Sequence, residues 1–329
     1  MLLFLLVMVL GVVLMWRYGE WAPGVMIVEE GAPAPEIIAD SPDSPDDGLS
    51  DVPSGGAPVR FLMYNVQNYF VPGEESRSRF VCRAKPVKSR EAVADVIAEV
   101  GPDILGLIEI GGKLALEDLR KRLSERGMEY PHAYVLERQG EDRALALLSK
   151  YPIVSNDSVT NQNLYGQKRR KMLRGILDIT IGLEDGRRFR IVGAHLKSRM
   201  GSDAAAARHL RAQEARTLAF HLYEQISRSS SLPVLVYGDW NDGPGDESLG
   251  VLVRGVGKGS NLYRVPALDS RGHGWTIYYE ETQEYSVFDQ IFLNRALHKR
   301  CGRKIKCGIA DIPAAQKASD HRAVWCELR

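Results

Sequence analysis

The chain has 329 residues, of which 44% are hydrophobic and 26% are charged. This length excludes a domain too small to bury a sizeable core and leaves room for one large α/β domain or two smaller ones. Residues 1–60 hold only 2 basic side chains and 9 acidic ones, so 41 basic and 33 acidic side chains remain, and this balance of +8 favours a polyanionic substrate over a neutral one.

The amino terminus, residues 1–21, is almost entirely aliphatic from Met1 to Trp16. Its length suits a signal-peptide core or a short membrane anchor. No lysine or arginine precedes the apolar run, and Ala32-Pro-Ala34 is a poor cleavage site. These features favour an uncleaved anchor, with a buried terminal strand or helix as the alternative. We therefore expect an exported protein that is membrane-anchored, periplasmic or extracellular.

Residues 22–58 are rich in proline, glycine, alanine and acidic side chains. Such a segment has too little apolar surface to offset the entropy lost on ordering, so we expect a disordered linker. The folded domain then comprises residues 59–329.

The folded domain alternates predicted strands and helices. Many strands, few helices and polar residues at strand ends indicate two packed sheets with helices outside. Strands are predicted at 59–66, 103–109, 144–148, 174–182, 188–196, 232–237, 274–279, 287–293 and 323–328, and helices at 89–100, 114–126 and 204–226.

A polar pair follows one buried strand, where the apolar run from Leu232 ends in Gly238-Asp-Trp-Asn-Asp242. Side chains two residues apart in an extended segment point the same way, so Asp239 and Asn241 can address one site. Carboxylate and amide oxygens suit Mg²⁺, Mn²⁺ or Ca²⁺. The alternative is a simple turn, which these residue types also favour.

Other strand ends carry polar residues as well. Glu109 ends a run of apolar residues, where a lone carboxylate would be costly to bury without a cation or hydrogen-bond donors. Asn65 could be a turn former, and His195 and His321 could be a core and a capping histidine. The polar residues of these strand ends, apart from Asp239 and Asn241, are Asn65, Glu109, His195, Asp289 and Ser319-Asp320-His321.

Four cysteines are present: Cys82, Cys301, Cys307 and Cys326. They allow three pairings, and an exported protein could oxidise Cys301 to Cys307 across a short loop. The spacing lacks the Cys-x-x-Cys pairs of a zinc site.

In this order the motifs resemble those of the endonuclease/exonuclease/phosphatase superfamily, the fold of pancreatic deoxyribonuclease. The resemblance covers about residues 59–328 and implies an α/β (α+β) four-layer αββα sandwich of two mainly antiparallel sheets flanked by helices. Its motifs are Tyr64-Asn-Val66, Ile108-Glu109, Gly193-Ala-His-Leu196, Gly238-Asp-Trp-Asn241, Phe288-Asp-Gln-Ile291 and Ser319-Asp-His321.

The resemblance implies that Glu109 and Asn65 hold a divalent cation, with Asp320 contributing. Mg²⁺ is the expected ion, with Mn²⁺ or Ca²⁺ as alternatives. His321 is implied to be the general base or the phosphate-stabilising histidine, oriented by Asp289.

The resemblance also implies that Asp239 and Asn241 position the attacking water and bind the scissile phosphate. His195 would protonate the leaving oxygen, with Asp142 as its acidic partner. Histidine at this position is typical of the deoxyribonuclease and sphingomyelinase branches, whereas the apurinic-site branch carries asparagine. Further phosphate-binding residues are expected at Arg174, Lys197 and Arg199.

The expected activity is metal-dependent hydrolysis of DNA or RNA by a monomer that contacts the membrane through its amino terminus and needs no protein partner. His195-Leu-Lys-Ser resembles bacterial extracellular nucleases. A sphingomyelinase-like lipid phosphodiesterase, another phosphatase of the superfamily and an inactive binding module are the alternatives. Aromatic residues near a predicted hairpin could stack on bases, insert into a membrane or pack the sheet. They are Trp275, Tyr278, Tyr279 and Tyr285.

Overall fold

The structure is a computed structural model that describes residues 56–78, 82–201, 203–228, 231–255, 261–302 and 305–329. The predicted anchor at 1–21 and all but the last three residues of the predicted linker at 22–58 lie outside these ranges. Within the described ranges, no helix is both long enough and apolar enough to cross a membrane.

Strands make up most of the described secondary structure. They are β1 (Val59–Tyr69), β2 (Ile104–Ile110), β3 (His132–Arg138), β4 (Glu141–Ser149), β5 (Ile153–Asn156), β6 (Leu177–Gly182), β7 (Arg188–His195), β8 (Val234–Asp239), β9 (Leu262–Val265), β10 (Ile277–Tyr279), β11 (Glu284–Ser286), β12 (Asp289–Asn294), β13 (Cys307–Ile309) and β14 (Val324–Leu328). The helices are α1 (Val87–Val100), α2 (Lys113–Ser124), α3 (Ala204–Arg228), α4 (Glu247–Arg254), α5 (Arg295–Cys301) and α6 (Ala315–Ala318).

The strands form two six-stranded sheets and a small hairpin. The first sheet has the order β13-β14-β1-β2-β4-β3, the second has the order β5-β6-β7-β8-β12-β9, and β10 pairs with β11. Each large sheet contains one parallel pair, β1 with β2 and β7 with β8, and its other pairs are antiparallel.

Three separate apolar cores show how the layers are stacked. One core joins the inner faces of the two sheets, where Phe61 and Ile108 of the first sheet cluster with Ile191 of the second. Another packs α1 and α2 against the first sheet, and a third packs α3 and α4 against the second. Three cores between four layers confirm the predicted αββα sandwich of two mainly antiparallel sheets.

Two glycines allow the sheets to approach each other around Tyr237. A Cβ atom built on Gly106 of the first sheet, or on Gly193 of the second, would lie 2.5 Å from the Tyr237 ring. The phenol is fully buried and its ring packs on Phe61 with centroids 5.2 Å apart. The glycine in each of these strands therefore makes room for the largest side chain of β8 in the central core.

The four cysteines are free thiols. The disulfide considered between Cys301 and Cys307 is therefore not formed in this structure. Cys301 and Cys326 are buried, and Cys307 packs against the same central core.

Candidate active site

The strand connections bring the predicted site residues to one edge of both sheets. β1 and β2 run parallel and end at this edge, and β14 is antiparallel to β1, so the residues that precede β14 lie there too. In the second sheet β7 and β8 end at the edge and the antiparallel β12 begins there. Residues far apart in sequence therefore meet in one cleft.

Strand register places three polar residues side by side in the second sheet. His195, Asp239 and Asp289 are paired across β7, β8 and β12, with Asp239 opposite both of the others. All three side chains are at most 2% exposed. A bridge between Ile277 of β10 and His321 fixes the start of the last strand beside them.

Irregular backbone at the ends of β1 and β2 redirects the side chains of the first sheet. The pairing shifts by one residue around Glu109, which has φ 64° and forms a β-bulge. Gln67, Asn68 and Asn241 also have left-handed φ values of 46°, 49° and 52°. Such conformations cost about 1–3 kcal/mol each and concentrate at functional sites. At Glu109 the bulge re-aims the carboxylate into the cleft.

His321 and Asp289 form a buried pair, with His321 Nδ1 2.7 Å from Asp289 Oδ2. Burial alone would lower the pKa of His321, but the carboxylates of Asp289 and Asp239 outweigh it and raise that pKa to about 10. The imidazole is therefore positively charged at neutral pH. Ser319 fixes the preceding turn, because its hydroxyl donates to Asn65 O and accepts from His321 N.

Asp239 lies at the centre of the cleft. Its Oδ2 is 3.0 Å from Asn65 Nδ2, 3.3 Å from His195 Nε2 and 3.8 Å from His321 Nε2. Burial is the main cause that raises the pKa of Asp239 to about 7, and the neighbouring carboxylates of Asp289 and Glu109 contribute. A carboxyl group with a pKa near neutrality can exchange a proton with water during a reaction.

His195 has the opposite electrostatic environment to His321. Burial, together with the positive charges of Arg174, His321 and Arg143, lowers the pKa of His195 well below its usual value. The neutral ring therefore carries one proton, and its Nδ1 has no hydrogen-bond partner within the described part of the chain. The two histidines of the cleft differ in charge at neutral pH.

The predicted pairing of Asp142 with His195 is wrong in this structure. The Asp142 carboxylate instead accepts hydrogen bonds from Ser76 Oγ, Ser78 Oγ and Arg77 N. Burial would raise the pKa of Asp142, but these bonds outweigh it and lower the pKa to about 2. Successive side chains of a strand point to opposite faces, and the next residue of β4, Arg143, is the one that faces the cleft.

Arg143 and Lys85 are cationic neighbours of the cleft that the sequence analysis missed. Arg143 Nε lies 2.7 Å from Asn68 Oδ1 and 3.6 Å from Glu109 Oε2. The Lys85 ammonium donates to Gln67 O, and burial lowers its pKa to about 8 although Asp320 and Glu109 act to raise it. Antiparallel pairing of β4 with β2 could have indicated Arg143, since it puts the start of β4 at the end of β2.

The predicted phosphate ligands differ in how far the protein itself already binds their side chains. Arg174 is buried, donates from Nη1 to Leu196 O at 3.2 Å, and has Glu141 Oε2 3.5 Å from its Nε. Asn241 Nδ2 donates to the same carbonyl at 3.1 Å. The two side chains therefore converge beside His195.

Lys197 and Arg199 are less available than Arg174. The Lys197 ammonium donates to the carbonyls of Ser198 and Met200 in its own loop. Arg199 donates to Asn241 O and pairs with Asp246 at 2.7 Å, while its guanidinium lies over the Phe288 ring. Both predicted phosphate ligands are engaged by the protein itself.

Asp242, the last residue of the Gly-Asp-Trp-Asn-Asp motif, has a structural role. Its carboxylate pairs with Arg211 at 2.7 Å and accepts from Ser248 Oγ. The side chain is buried.

Two of the oxygen ligands predicted for a divalent cation lie beside the histidines of the cleft. Glu109 Oε1 is 3.9 Å from His195 Nε2, and Asp320 Oδ1 is 4.0 Å from His321 Nε2. Asn65 Oδ1 accepts from Gln67 N, which leaves one lone pair.

A second set of potential metal ligands lies deeper in the cleft. Within the described ranges, Asp239, Asp289 and His321 form a group whose ligand atoms lie within 4.8 Å of one another. His321 already gives Asp289 a positive partner, whereas Asp239 and Glu109 repel each other. The residues therefore fit a divalent cation, since it would balance this excess of negative charge with oxygen ligands.

Comparisons with known proteins gave one family match and several matches to solved structures. The model of the Endonuclease/Exonuclease/phosphatase family matches residues 64–321. A comparison with curated proteins gave no significant match.

Solved structures of similar fold include the following examples. The human Nocturnin catalytic domain with bound sulfate has TM-score 0.57 and 19% identity over 83% of this chain and 94% of that one. Truncated Caenorhabditis elegans TDP2 has TM-score 0.55 and 16% identity over 82% and 97%. An endonuclease/exonuclease/phosphatase from Bacteroides vulgatus has TM-score 0.59 and 17% identity over 83% and 99%. At these identities the likeness shows the fold.

Proposed function

Because the chain belongs to the Endonuclease/Exonuclease/phosphatase family, we propose that it is a metal-dependent nuclease that hydrolyses phosphodiester bonds of DNA, with RNA as the next candidate. One observation carries the proposal: two histidines of different charge face the buried carboxylate of Asp239. His195 is neutral and lies near arginines, whereas His321 is charged and pairs with Asp289. That arrangement offers a proton acceptor, a cationic hydrogen-bond donor and phosphate ligands within one cleft.

The pKa values divide the roles between the residues. Asp239, with a pKa near 7, accepts the proton of the attacking water, which Asn241 helps to position. His321 is held in its charged form by Asp289 and stabilises negative charge on the phosphate. This assignment favours the phosphate-stabilising role for His321 over the general-base role.

The sequence predicts that His195 protonates the leaving oxygen, and we propose a different role for this histidine. Its lowered pKa means that the ring is neutral at neutral pH and has no extra proton to transfer. When the bond between phosphorus and the leaving oxygen breaks, that oxygen therefore takes its proton from solvent water, and Asp239 returns the proton of the attacking water to solvent. We assign it a hydrogen bond from Nε2 to a phosphate oxygen, because this nitrogen faces the cleft beside Asp239 Oδ2, which lies 3.3 Å away.

A divalent cation, with Mg²⁺ as the expected ion, would be held by Glu109, Asn65 and Asp320. When bound, it supplies Lewis-acid stabilisation of the charge that develops on the phosphate.

The charge around the cleft supports a nucleic acid over a sphingomyelin-like lipid. Arg174 and Arg143 lie near His195 and Glu109, and Arg143 remains 42% exposed. A nucleic acid strand brings further phosphates next to the scissile one, which these arginines can bind. A phosphocholine headgroup brings its own cation, which the same arginines repel.

Export and membrane attachment are also part of the proposal. They rest on the aliphatic segment 1–21 and the acidic, proline-rich segment 22–58. Fractionation of cells that express the full chain tests them: recovery in the membrane fraction supports an anchor, and recovery in the cytosol contradicts it.

The activity test compares plasmid nicking with sphingomyelin hydrolysis by the full-length protein in Mg²⁺, with and without a chelator. Nicking that the chelator abolishes, without lipid turnover, supports the proposal. Turnover of lipid alone would support phosphodiester hydrolysis and reject a nucleic acid as the substrate. Turnover of neither, or nicking that survives complete chelation, would reject metal-dependent nuclease activity.

A further inference from the structure

Helix α3 places two charged side chains behind the catalytic cleft. Glu214 is fully buried and Arg211 is 4% exposed. The two lie three residues apart and therefore on the same face of the helix. Neither has been assigned to the site by the strand-end pattern, since both belong to a helix that covers the outer face of the second sheet.

The Glu214 carboxylate holds two separate segments of the site. One oxygen accepts from Leu173 N at 2.8 Å, and the other accepts from Lys197 N at 2.7 Å. Leu173 directly precedes Arg174, and Lys197 lies two residues after His195. Each oxygen therefore fixes the backbone next to one predicted phosphate-binding or catalytic residue.

Arg211 extends the same arrangement to a third segment. Its Nη1 donates to Lys197 O at 3.1 Å, and its Nη2 lies 2.7 Å from Asp242 Oδ1. Asp242 directly follows Asn241. The helix thus contacts all three segments that bring Arg174, His195 and Asn241 to the cleft.

The three segments also meet on the cleft side of this contact. Arg174 and Asn241 both donate to Leu196 O, and Leu196 N donates to Asp239 O. A shift of the loop after His195 would therefore move Arg174 and Asn241 together. A fully buried carboxylate is costly to maintain, and here both of its oxygens are used on backbone groups of these converging loops.

We propose that Glu214 and Arg211 are positioning residues that set the spacing of Arg174, His195 and Asn241 around the phosphate. The inference rests on the proposed phosphodiesterase function. The helix acts indirectly, through hydrogen bonds to the backbone of Leu173 and Lys197, and does not contact the substrate. Misplacement of reacting groups by about 1 Å can cost about 10²-fold in rate.

The first test is Glu214→Gln, which keeps the shape but replaces one acceptor oxygen by a donor that opposes a backbone N–H. We expect kcat to fall about 10²-fold, with KM changed by less than about threefold, because misplacement acts on the transition state. Glu224→Gln, at an exposed position of the same helix, is the matched control and should retain wild-type kcat. An unchanged kcat in Glu214→Gln overturns the inference.

A double-mutant cycle separates positioning from general loss of stability. Because Arg174 is one of the three residues that Glu214 is proposed to position, Glu214→Gln should lower kcat less in an Arg174→Ala background than in the wild type, and the remaining loss acts through His195 and Asn241. Equal losses in both backgrounds would overturn the inference. If Glu214→Gln does not fold, Arg211→Lys provides the same cycle, because it keeps the charge and loses one of the two contacts.

Hydrolysis of bis(p-nitrophenyl) phosphate, a small phosphodiester, is measured beside plasmid nicking. A wild-type protein that hydrolyses neither compound refutes the proposed function. A wild-type protein that is active, with Glu214→Gln equally active, refutes only the positioning role.

Discussion

Two buried Asp–His pairs in this protein have nearly the same nitrogen–oxygen distance and different surroundings. His321 Nδ1 lies 2.7 Å from Asp289 Oδ2 in the cleft, and His221 Nε2 lies 2.6 Å from Asp178 Oδ2 between β6 and α3. Around Asp178, Arg190 donates to both carboxylate oxygens at 2.7 Å. The second pair is therefore saturated by the protein's own cation.

The cleft pair is not saturated in this way. Asp289 Oδ1 and the Nδ1 of neighbouring His195 lack hydrogen-bond partners in the part of the chain that the structure describes. Buried polar atoms are nearly always paired, so exceptions need a reason. The comparison indicates that a saturated ionic cluster stabilises the fold, whereas an unsaturated one keeps its bonding capacity for a reaction.

The largest expected effect is on activity, in His321→Ala. Loss of the charged imidazole removes a positioned donor, and we expect turnover to fall about 10³-fold. Plasmid nicking measures the loss, and circular dichroism checks that the fold is retained. His209→Ala, at an exposed position of α3, serves as the control. Activity within tenfold of wild type in His321→Ala would contradict a role of the Asp289–His321 pair in the reaction.

The next effect is on stability, in Arg190→Ala. This variant leaves the fully buried Asp178 carboxylate without its bidentate partner, and breaking such a buried pair costs about 3–5 kcal/mol. Urea unfolding measures the loss, and turnover per folded molecule should stay within about twofold of wild type. A variant that unfolds like wild type but has lost its activity would place the Asp178 cluster with the functional groups.

Much of the site could be predicted from sequence because strand direction carries the information. His195 and Asp239 end their strands, Glu109 is the last but one residue of β2, and Asn65 lies where the regular pairing of β1 with β2 stops. Parallel and antiparallel pairing brings these positions to one edge. The sandwich follows from the same alternation of apolar runs. Short strands such as β5 (Ile153–Asn156), whose sequence has no continuous apolar run, were missed.

The errors have a common physical source, which is that sequence gives a residue's position without the direction of its side chain. Asp142 is predicted to lie just before the strand at 144–148 and lies at the start of β4. Its carboxylate faces the loop of Ser76 and Ser78, while Arg143 faces Glu109. Lys197 lies in the predicted loop, but its ammonium bends back to the carbonyls of Ser198 and Met200. These choices depend on long-range contacts that no local pattern encodes.

Asp142→Asn extends the comparison to a third carboxylate, which lies close to the cleft and has its hydrogen bonds satisfied by the protein. The folded pKa of Asp142 is lowered from 3.8 to about 2, so its stabilisation is present above pH 3.8 and is lost as the pH falls through about 2. We expect the variant to lose about 2 kcal/mol of unfolding free energy at neutral pH. Urea unfolding should show the difference from wild type shrinking towards pH 2. A loss independent of pH would mean that charge does not stabilise the loop.

The smallest effect is expected for Lys197→Ala. This variant tests whether a cation near the cleft still binds substrate when the protein already satisfies its hydrogen bonds. Because the ammonium is already bound by two carbonyls in its own loop, we expect KM for DNA to change less than about threefold, near the limit of a surface ionic contact. Arg143→Ala, which removes a guanidinium that is 42% exposed beside Glu109, should raise KM about tenfold and reduce the salt slope by about one. A tenfold rise in KM for Lys197→Ala as well would show that the Lys197 ammonium leaves its carbonyls for a phosphate. In that case saturation within the protein would not distinguish structural cations from substrate-binding ones.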